Sequence, residues 1–176
     1  MENEQAKTIE ALQFAIQMEI DGKEYYQKAG KGSNNRVGKE LFQWLASEED
    51  KHRQKFEQIY HAIKQTQTWP DVAMQPGGVD KVNTIFSNAR GAGAPKAKKQ
   101  SAELKAIARA MEMENKTQTF YKGQGEKAKY PAERKFYESL AAEERGHHLA
   151  LVDYREYLVD PSGWFRKAEH HSLDGG

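Results

Sequence analysis

The sequence contains no cysteine. That absence excludes disulfides, thiolate zinc sites, iron–sulfur clusters, rubredoxin-type centres and cysteine nucleophiles. Any metal must therefore be held by Glu, Asp, His or backbone oxygen. No run of about 18 apolar residues exists, so no segment is expected to span a membrane. The amino end, Met1-Glu2-Asn3-Glu4-Gln5, is acidic and carries no apolar stretch, so no secretory signal is expected and the expected location is the cytoplasm. An excess of one charge is missing too. The 27 Lys and Arg face 26 Asp and Glu, which argues against nucleic acid or an anionic membrane as a partner. With 14 Gly and 5 Pro the chain is neither collagen-like nor wholly disordered. What remains is 176 residues, 38% hydrophobic and 30% charged, a mix that suits one domain of long, solvent-washed helices around a narrow core.

Four segments carry the helical period of three and four. The first runs from about Glu4 to Lys28, with Leu12, Ala15, Ile16, Glu19, Gly22 and Tyr26 on one stripe. Gly30-Lys31-Gly32-Ser33-Asn34-Asn35 breaks it, and Asn34 or Asn35 can cap the next helix. The second runs from about Arg36 to Lys64, with Leu41, Leu45, Glu49, His52, Phe56, Ile59 and Ile63 in register. The third runs from about Ser101 to Lys127 on Leu104, Ile107, Met111, Glu114, Gln118 and Tyr121. The fourth opens at Pro131, carries Tyr137, Leu140, Glu144, His147, Leu151, Tyr154 and Leu158, and stops before Pro161.

Residues 65–100 between the second and third helices are rich in turn chemistry: Trp69-Pro70, Pro76-Gly77-Gly78 and Gly91-Ala92-Gly93-Ala94-Pro95. Val79, Val82, Ile85, Phe86 and Ala89 can form one short amphipathic helix there. A connection that long can traverse a helix of about 38 Å and start the next in the same direction. The expected fold is all-α: a four-helix bundle over residues 1–160 with one long crossover, followed by a C-terminal tail, 161–176.

The two halves repeat at an offset of 95 positions. Ala15, Met18, Glu19 and Tyr26 fall on Ala110, Met113, Glu114 and Tyr121. Leu45-Ala46, Glu48-Glu49 and His52 fall on Leu140-Ala141, Glu143-Glu144 and His147. General amphipathicity explains matching apolar residues but not Glu, His and Tyr at identical offsets, so a pseudo-twofold axis is expected. The stripes also place Glu19, Glu49, His52, Glu114, Glu144 and His147 on core-facing positions. A buried carboxylate without a partner costs several kcal/mol, about what desolvation of an ion demands, and no Lys or Arg shares these stripes. Two divalent cations would cancel four carboxylates. Residues at i and i+3 share a helix face, so Glu49 with His52, and Glu144 with His147, can each reach one metal. One Glu from each of two helices plus Glu-x-x-His from the other two is the donor set of ferritin-like dinuclear carboxylate proteins. Tyr26 and Tyr121 lie two turns beyond Glu19 and Glu114, where each phenol can donate to a metal-bound carboxylate.

These residues resemble the ferritin-like superfamily, and its rubrerythrin-like branch most closely. The resemblance rests on Ala15-Ile16-Gln17-Met18-Glu19-Ile20-Asp21-Gly22-Lys23-Glu24-Tyr25-Tyr26, Leu45-Ala46-Ser47-Glu48-Glu49-Asp50-Lys51-His52, Ala110-Met111-Glu112-Met113-Glu114 with Phe120-Tyr121, and Leu140-Ala141-Ala142-Glu143-Glu144-Arg145-Gly146-His147. It implies two iron ions, with manganese or zinc also suited to these ligands. It implies further that Glu49 and Glu144 bridge them, Glu19 and Glu114 are terminal, and His52 and His147 bind one each. The implied activity is reduction of hydrogen peroxide or dioxygen in oxidative-stress defence, fed by an external electron donor protein because the sequence has no cysteine. Separately, the narrow bundle, its wrapping crossover and the aromatic residues of the tail make a homodimer, with or without exchanged helices, the expected assembly. Thr117 stands where the branch usually carries an extra carboxylate, and Gly22 is its repeat mate, so a more symmetric site is expected. The tail does not resemble the short fifth helix of storage ferritins. A ferroxidase or iron-storage role, and a metal-free helical interaction protein, are the competing readings.

Outside this set, Glu48, Glu112 and Glu143 are expected to be solvated or to back the ligands. His148 is expected to face outward or towards a neighbour, and His61, His170 and His171 have no partner at ligand spacing. Trp44, Trp69 and Trp164 read as packing anchors, and Lys96-Ala97-Lys98-Lys99 as solvated loop.

Overall fold

The computed structural model describes residues 2–72, 79–87 and 97–166, and among them it is helical with no strand. Four long helices are present: α1 (Glu2–Gly32), α2 (Arg36–Thr66), α4 (Ala97–Lys127) and α5 (Pro131–Val159). Between α2 and α4 lies the short α3 (Val79–Ser87). A further helical segment, α6, spans residues 161–166.

The helix ends follow local chemistry. Asn35 is extended and its side chain accepts from the Val37 N–H at 2.8 Å, which caps α2. At the other end Gln67 adopts a left-handed conformation, φ 58°, and its N–H closes on the Ile63 carbonyl. Pro131 sits in the first turn of α5, where its missing N–H costs nothing. Helix α1 runs through Gly30 to Gly32, beyond the expected stop at Lys28. A Cβ on Gly30 would lie 3.4 Å from that of Phe42, so the glycine serves close approach of α1 to α2. Helix α4 begins at Ala97, four residues before the expected Ser101. Lys98 and Lys99 thus belong to a helix and not to a loop, and the Gln100 amide donates to the Leu158 carbonyl near the end of α5. The expected short helix of the crossover is α3, while Ala89 lies outside the described residues.

The tail needs a correction, because a helix follows the bundle after all. Asp160 ends α5 and caps the next turn: its carboxylate accepts from the Gly163 N–H and its carbonyl from the Trp164 N–H, both at 2.9 Å. Pro161 starts α6 instead of merely stopping α5. Trp164 then packs against Phe86 of α3 and Tyr157 of α5, with ring centroids 5.2 and 5.7 Å apart. Aromatic burial outweighs the weak helical pattern of so short a segment. His170 and His171 lie outside the described residues.

Packing defines the topology. Lys23 meets Asp50 and Gly30 meets Phe42 across α1 and α2, while Gln118 meets Ala141 and Gly125 meets Tyr137 across α4 and α5, so in each pair the numbers run in opposite senses and the hairpin is antiparallel. Tyr26 reaches Glu114 while Tyr121 reaches Glu19, which makes α1 and α4 antiparallel. Helices α2 and α4 therefore run in the same direction, as a long crossover requires. No helix among the described residues is long and apolar enough to cross a membrane.

Two apolar clusters fill the bundle ends. One gathers Val37, Leu41, Phe42, Leu45, Ile107 and Leu151. The other gathers Leu12, Phe56, Ile59, Tyr121, Phe136 and Leu140. Between them lies the polar layer. Phe56 is fully buried against the rings of Tyr121, Phe136 and Tyr137, 5.3–6.2 Å between centroids. Phe56→Ala should lower the unfolding free energy of the metal-free protein by about 3–5 kcal/mol, measured by urea denaturation.

Candidate metal centre

Four helices contribute to the layer. Glu19 comes from α1, Glu49 and His52 from α2, Glu114 from α4, and Glu144 and His147 from α5. All six are at most 4% exposed. They are buried for the same reason as their apolar neighbours: each occupies a stripe position between core residues, such as Ala15 and Tyr26 around Glu19. The backbone places them inward whatever their polarity.

The six side chains form two overlapping groups. Glu19, Glu49, His52 and Glu144 make one; Glu49, Glu114, Glu144 and His147 make the other. Within each group the potential ligand atoms lie within 4.8 Å of one another. Glu49 and Glu144 belong to both, while Glu19 with His52, and Glu114 with His147, belong to one each. Each histidine therefore meets the acid of the opposite hairpin as well as its own. His52 Nδ1 lies 3.1 Å from Glu144 and 3.5 Å from Glu19. His147 Nδ1 lies 3.3 Å from Glu144, 3.6 Å from Glu114 and 3.7 Å from Glu49. The two imidazoles face each other with centroids 5.6 Å apart.

Hydrogen bonding among the six does not satisfy them. Six buried side-chain atoms lack a hydrogen-bond partner among the described residues, and five belong here: Glu19 Oε2, Glu49 Oε1, His52 Nδ1, Glu114 Oε2 and Glu144 Oε1. Native proteins rarely leave such atoms unpaired, so five of them spread over two overlapping groups form a cradle for cations. Carboxylate and imidazole donors suit iron, manganese or zinc.

The phenols close the site crosswise. Tyr26 donates to Glu114 and Tyr121 to Glu19, so each tyrosine holds the acid of the other hairpin and not the one on its own helix. Helical spacing put each phenol on the right face; only antiparallel packing of α1 on α4 chose its partner. Gly22 adds a space requirement that a sequence cannot show. A Cβ there would lie 2.9 Å from Glu49 Oε2, so the glycine makes room for that carboxylate.

Other candidates sort plainly. Glu143 is drawn in, with Oε2 2.8 Å from His52 Nε2. Glu48 is buried but pairs with Lys51 at 2.7 Å. Glu112 is exposed. His148 meets the Met111 carbonyl at 3.3 Å, and His61 lies edge-on to Tyr60. Trp44, Trp69 and Trp164 all pack against aromatic rings, and the Trp44 ring stands against His147. That last contact had no signal in the helical period.

Electrostatics without metal is governed by crowding. Burial, then the charges of Glu19, Glu144 and Glu114, pushes Glu49 well above the ordinary carboxylate range. Burial and Glu144 push Glu114 up to about 8. Burial opposes protonation of His147, but Glu114 and Glu144 outweigh it and raise the imidazole to about 10. His52 is likewise raised, mainly by Glu19 against the effect of burial. Glu144 moves the other way: the two imidazoles set against it, His147 and His52, outweigh burial and hold it well below its usual range. Protons thus do the neutralising that cations would otherwise do, and a bound metal must displace them.

A helical bundle with a central twin cluster of four carboxylates and two imidazoles defines a ferritin-like dinuclear carboxylate protein. The rubrerythrin family model matches residues 10–154, and the chain belongs to that family. These 176 residues hold no cysteine with which to ligate a rubredoxin-type iron. No curated protein and no solved structure matches the chain.

Two tests follow. Glu114 and His147 bind protons more tightly folded than unfolded, so their contribution is whole below about 4.5 and 6.5 and is lost as pH rises through about 8 and about 10. Glu144 contributes oppositely and is lost only in acid. Between about pH 7 and about pH 9 the metal-free protein should therefore melt at falling temperature, while the gap to the metal-loaded protein widens, as calorimetry at each pH will read. Separately, replacing Tyr26 and Tyr121 together by Phe should weaken metal binding about 10–100-fold by chelator competition, because two buried acids lose their donors.

Proposed function

We propose that the protein is an oxidoreductase that reduces hydrogen peroxide or dioxygen at a two-iron centre. In this reading Glu49 and Glu144 are shared ligands, and Glu19 with His52, and Glu114 with His147, complete the two positions. The observation that carries it is the convergence of five unpaired, buried donor atoms from four helices. Bound iron pairs supply two electrons at adjacent sites, which matches the two-electron demand of a peroxide bond.

The chain's own residues do the rest. Tyr26 and Tyr121 hold Glu114 and Glu19 by hydrogen bonds, so these acids keep their orientation when charge changes. Apolar clusters on both sides keep bulk water from the layer. Converting one peroxide to two waters consumes two protons and two electrons. The phenol O–H groups of Tyr26 and Tyr121 keep their protons at the layer itself when the carboxylates are taken up as ligands. The electrons come from an external donor protein, since the chain has no cysteine to ligate a second redox centre. A homodimer acting in the cytoplasm in defence against oxidants completes the proposal.

Stopped-flow oxidation of protein loaded with two ferrous ions is the test. Oxidation by peroxide should be much faster than by dioxygen, with two ions bound per chain. Comparable slow reaction with both, together with a large multi-subunit shell on sizing, would instead favour iron storage.

A further inference from the structure

The two hairpins are near copies, so the positions where they differ are informative. Glu48 and Glu143 are repeat mates, each directly preceding a cluster acid. Glu143 backs His52 across the bundle: the Nε2 turned away from the cluster meets its carboxylate at 2.8 Å. With that nitrogen donating, Nδ1, which lies beside Glu19 and Glu144, is the atom that gives up its proton and offers its lone pair when a cation binds between them. A true twofold would have Glu48 do the same for His147.

It does not. The Glu48 carboxylate is 2.7 Å from Nζ of Lys51, one turn along its own helix. Among the described residues no carboxylate pairs with the outer nitrogen of His147, and the indole of Trp44 stands edge-on to that ring at 5.3 Å. The cause is readable residue by residue. The repeat mate of Lys51 is Gly146, which offers no cation to capture Glu143, and the mate of Trp44 is Ser139, which is small. One half thus carries a lysine that diverts its acid and an indole beside the ring; the other carries neither.

We infer that the two metal positions are unequal, the Glu19–His52 position binding first and more tightly because Glu143 backs its imidazole. Glu143 is a positioning residue, acting through His52, and Lys51 sets the asymmetry by holding Glu48. The inference rests on the dinuclear reading above. A carboxylate behind a metal-bound histidine fixes the ring and raises its donor strength, and its loss typically costs about 10–100-fold in affinity.

Titration of the metal-free full-length chain with Co2+, followed by visible absorption, reads the affinities directly. The wild type should take up two ions in two resolved steps. His147→Ala leaves the first position intact and His52→Ala the second. Adding Glu143→Gln should weaken binding about 10–100-fold in the His147→Ala background and leave the His52→Ala background unchanged. Gly146→Lys, which keeps Glu143 but gives it a lysine in the place Lys51 holds in the other half, should reproduce that selective loss. A Cβ added at the exposed Gly146 would meet no atom within 4 Å. Melting of the metal-free variants at the wild-type temperature separates a metal effect from a folding defect. Equal loss in both backgrounds, or no loss with either variant in the first, overturns the inference. Failure of the wild type to bind two ions overturns instead the dinuclear reading.

Discussion

Four carboxylates facing one another in a dry interior repel, and each has also given up its hydration. The arrangement of this bundle follows from that constraint. Two imidazoles are interleaved with the acids, and two phenols brace the outer acids from across the bundle. Even so, five atoms are left without a partner. Protons cover part of the charge at the cost of stability as the pH rises, and divalent cations cover it more fully. The same inward geometry would be a defect in a metal-free protein and is a resource in a metalloprotein.

The apolar clusters at either end explain how the strain is carried. Fully buried aromatics such as Phe42, Phe56, Phe136 and Tyr154 anchor the helices on both sides of the polar layer. Burial of this kind is worth roughly 1.5–3 kcal/mol per large side chain, enough in sum to hold helices against local repulsion. Rigid ends also keep the acids from rotating outward into solvent. Near-twofold symmetry then gives each cation position the same donors from the cluster. The halves differ outside the six, in Lys51 against Gly146 and Trp44 against Ser139, so that Glu48 pairs with Lys51 while Glu143 meets His52.

Much of this was legible in the order of residues because helices translate spacing into direction. Glu49 and His52, three apart, share a face in any α-helix, and the offset of 95 exposed their copies at Glu144 and His147. Helix ends were less legible. Local signals at Lys28 and Ser101 were overridden by contacts with distant residues: Gly30 against Phe42, and Gln100 with the end of α5. Residues 161–166 form a helix through docking of Trp164 on Phe86 and Tyr157, partners 78 and 7 positions away, as their numbers show.

Sequence by itself determined that the protein is helical, that it is doubled, that thiolate chemistry is excluded, and which six polar side chains face inward. Each of these depends on composition or on periodicity within one helix. Tertiary structure alone decided who meets whom. It crossed Tyr26 to Glu114 and Tyr121 to Glu19, made Glu49 and Glu144 common to both groups, and drew Glu143 to His52 while Lys51 kept Glu48. Those pairings join residues on different helices, and the relative placement of helices is set by the packing of whole faces, which no single segment encodes.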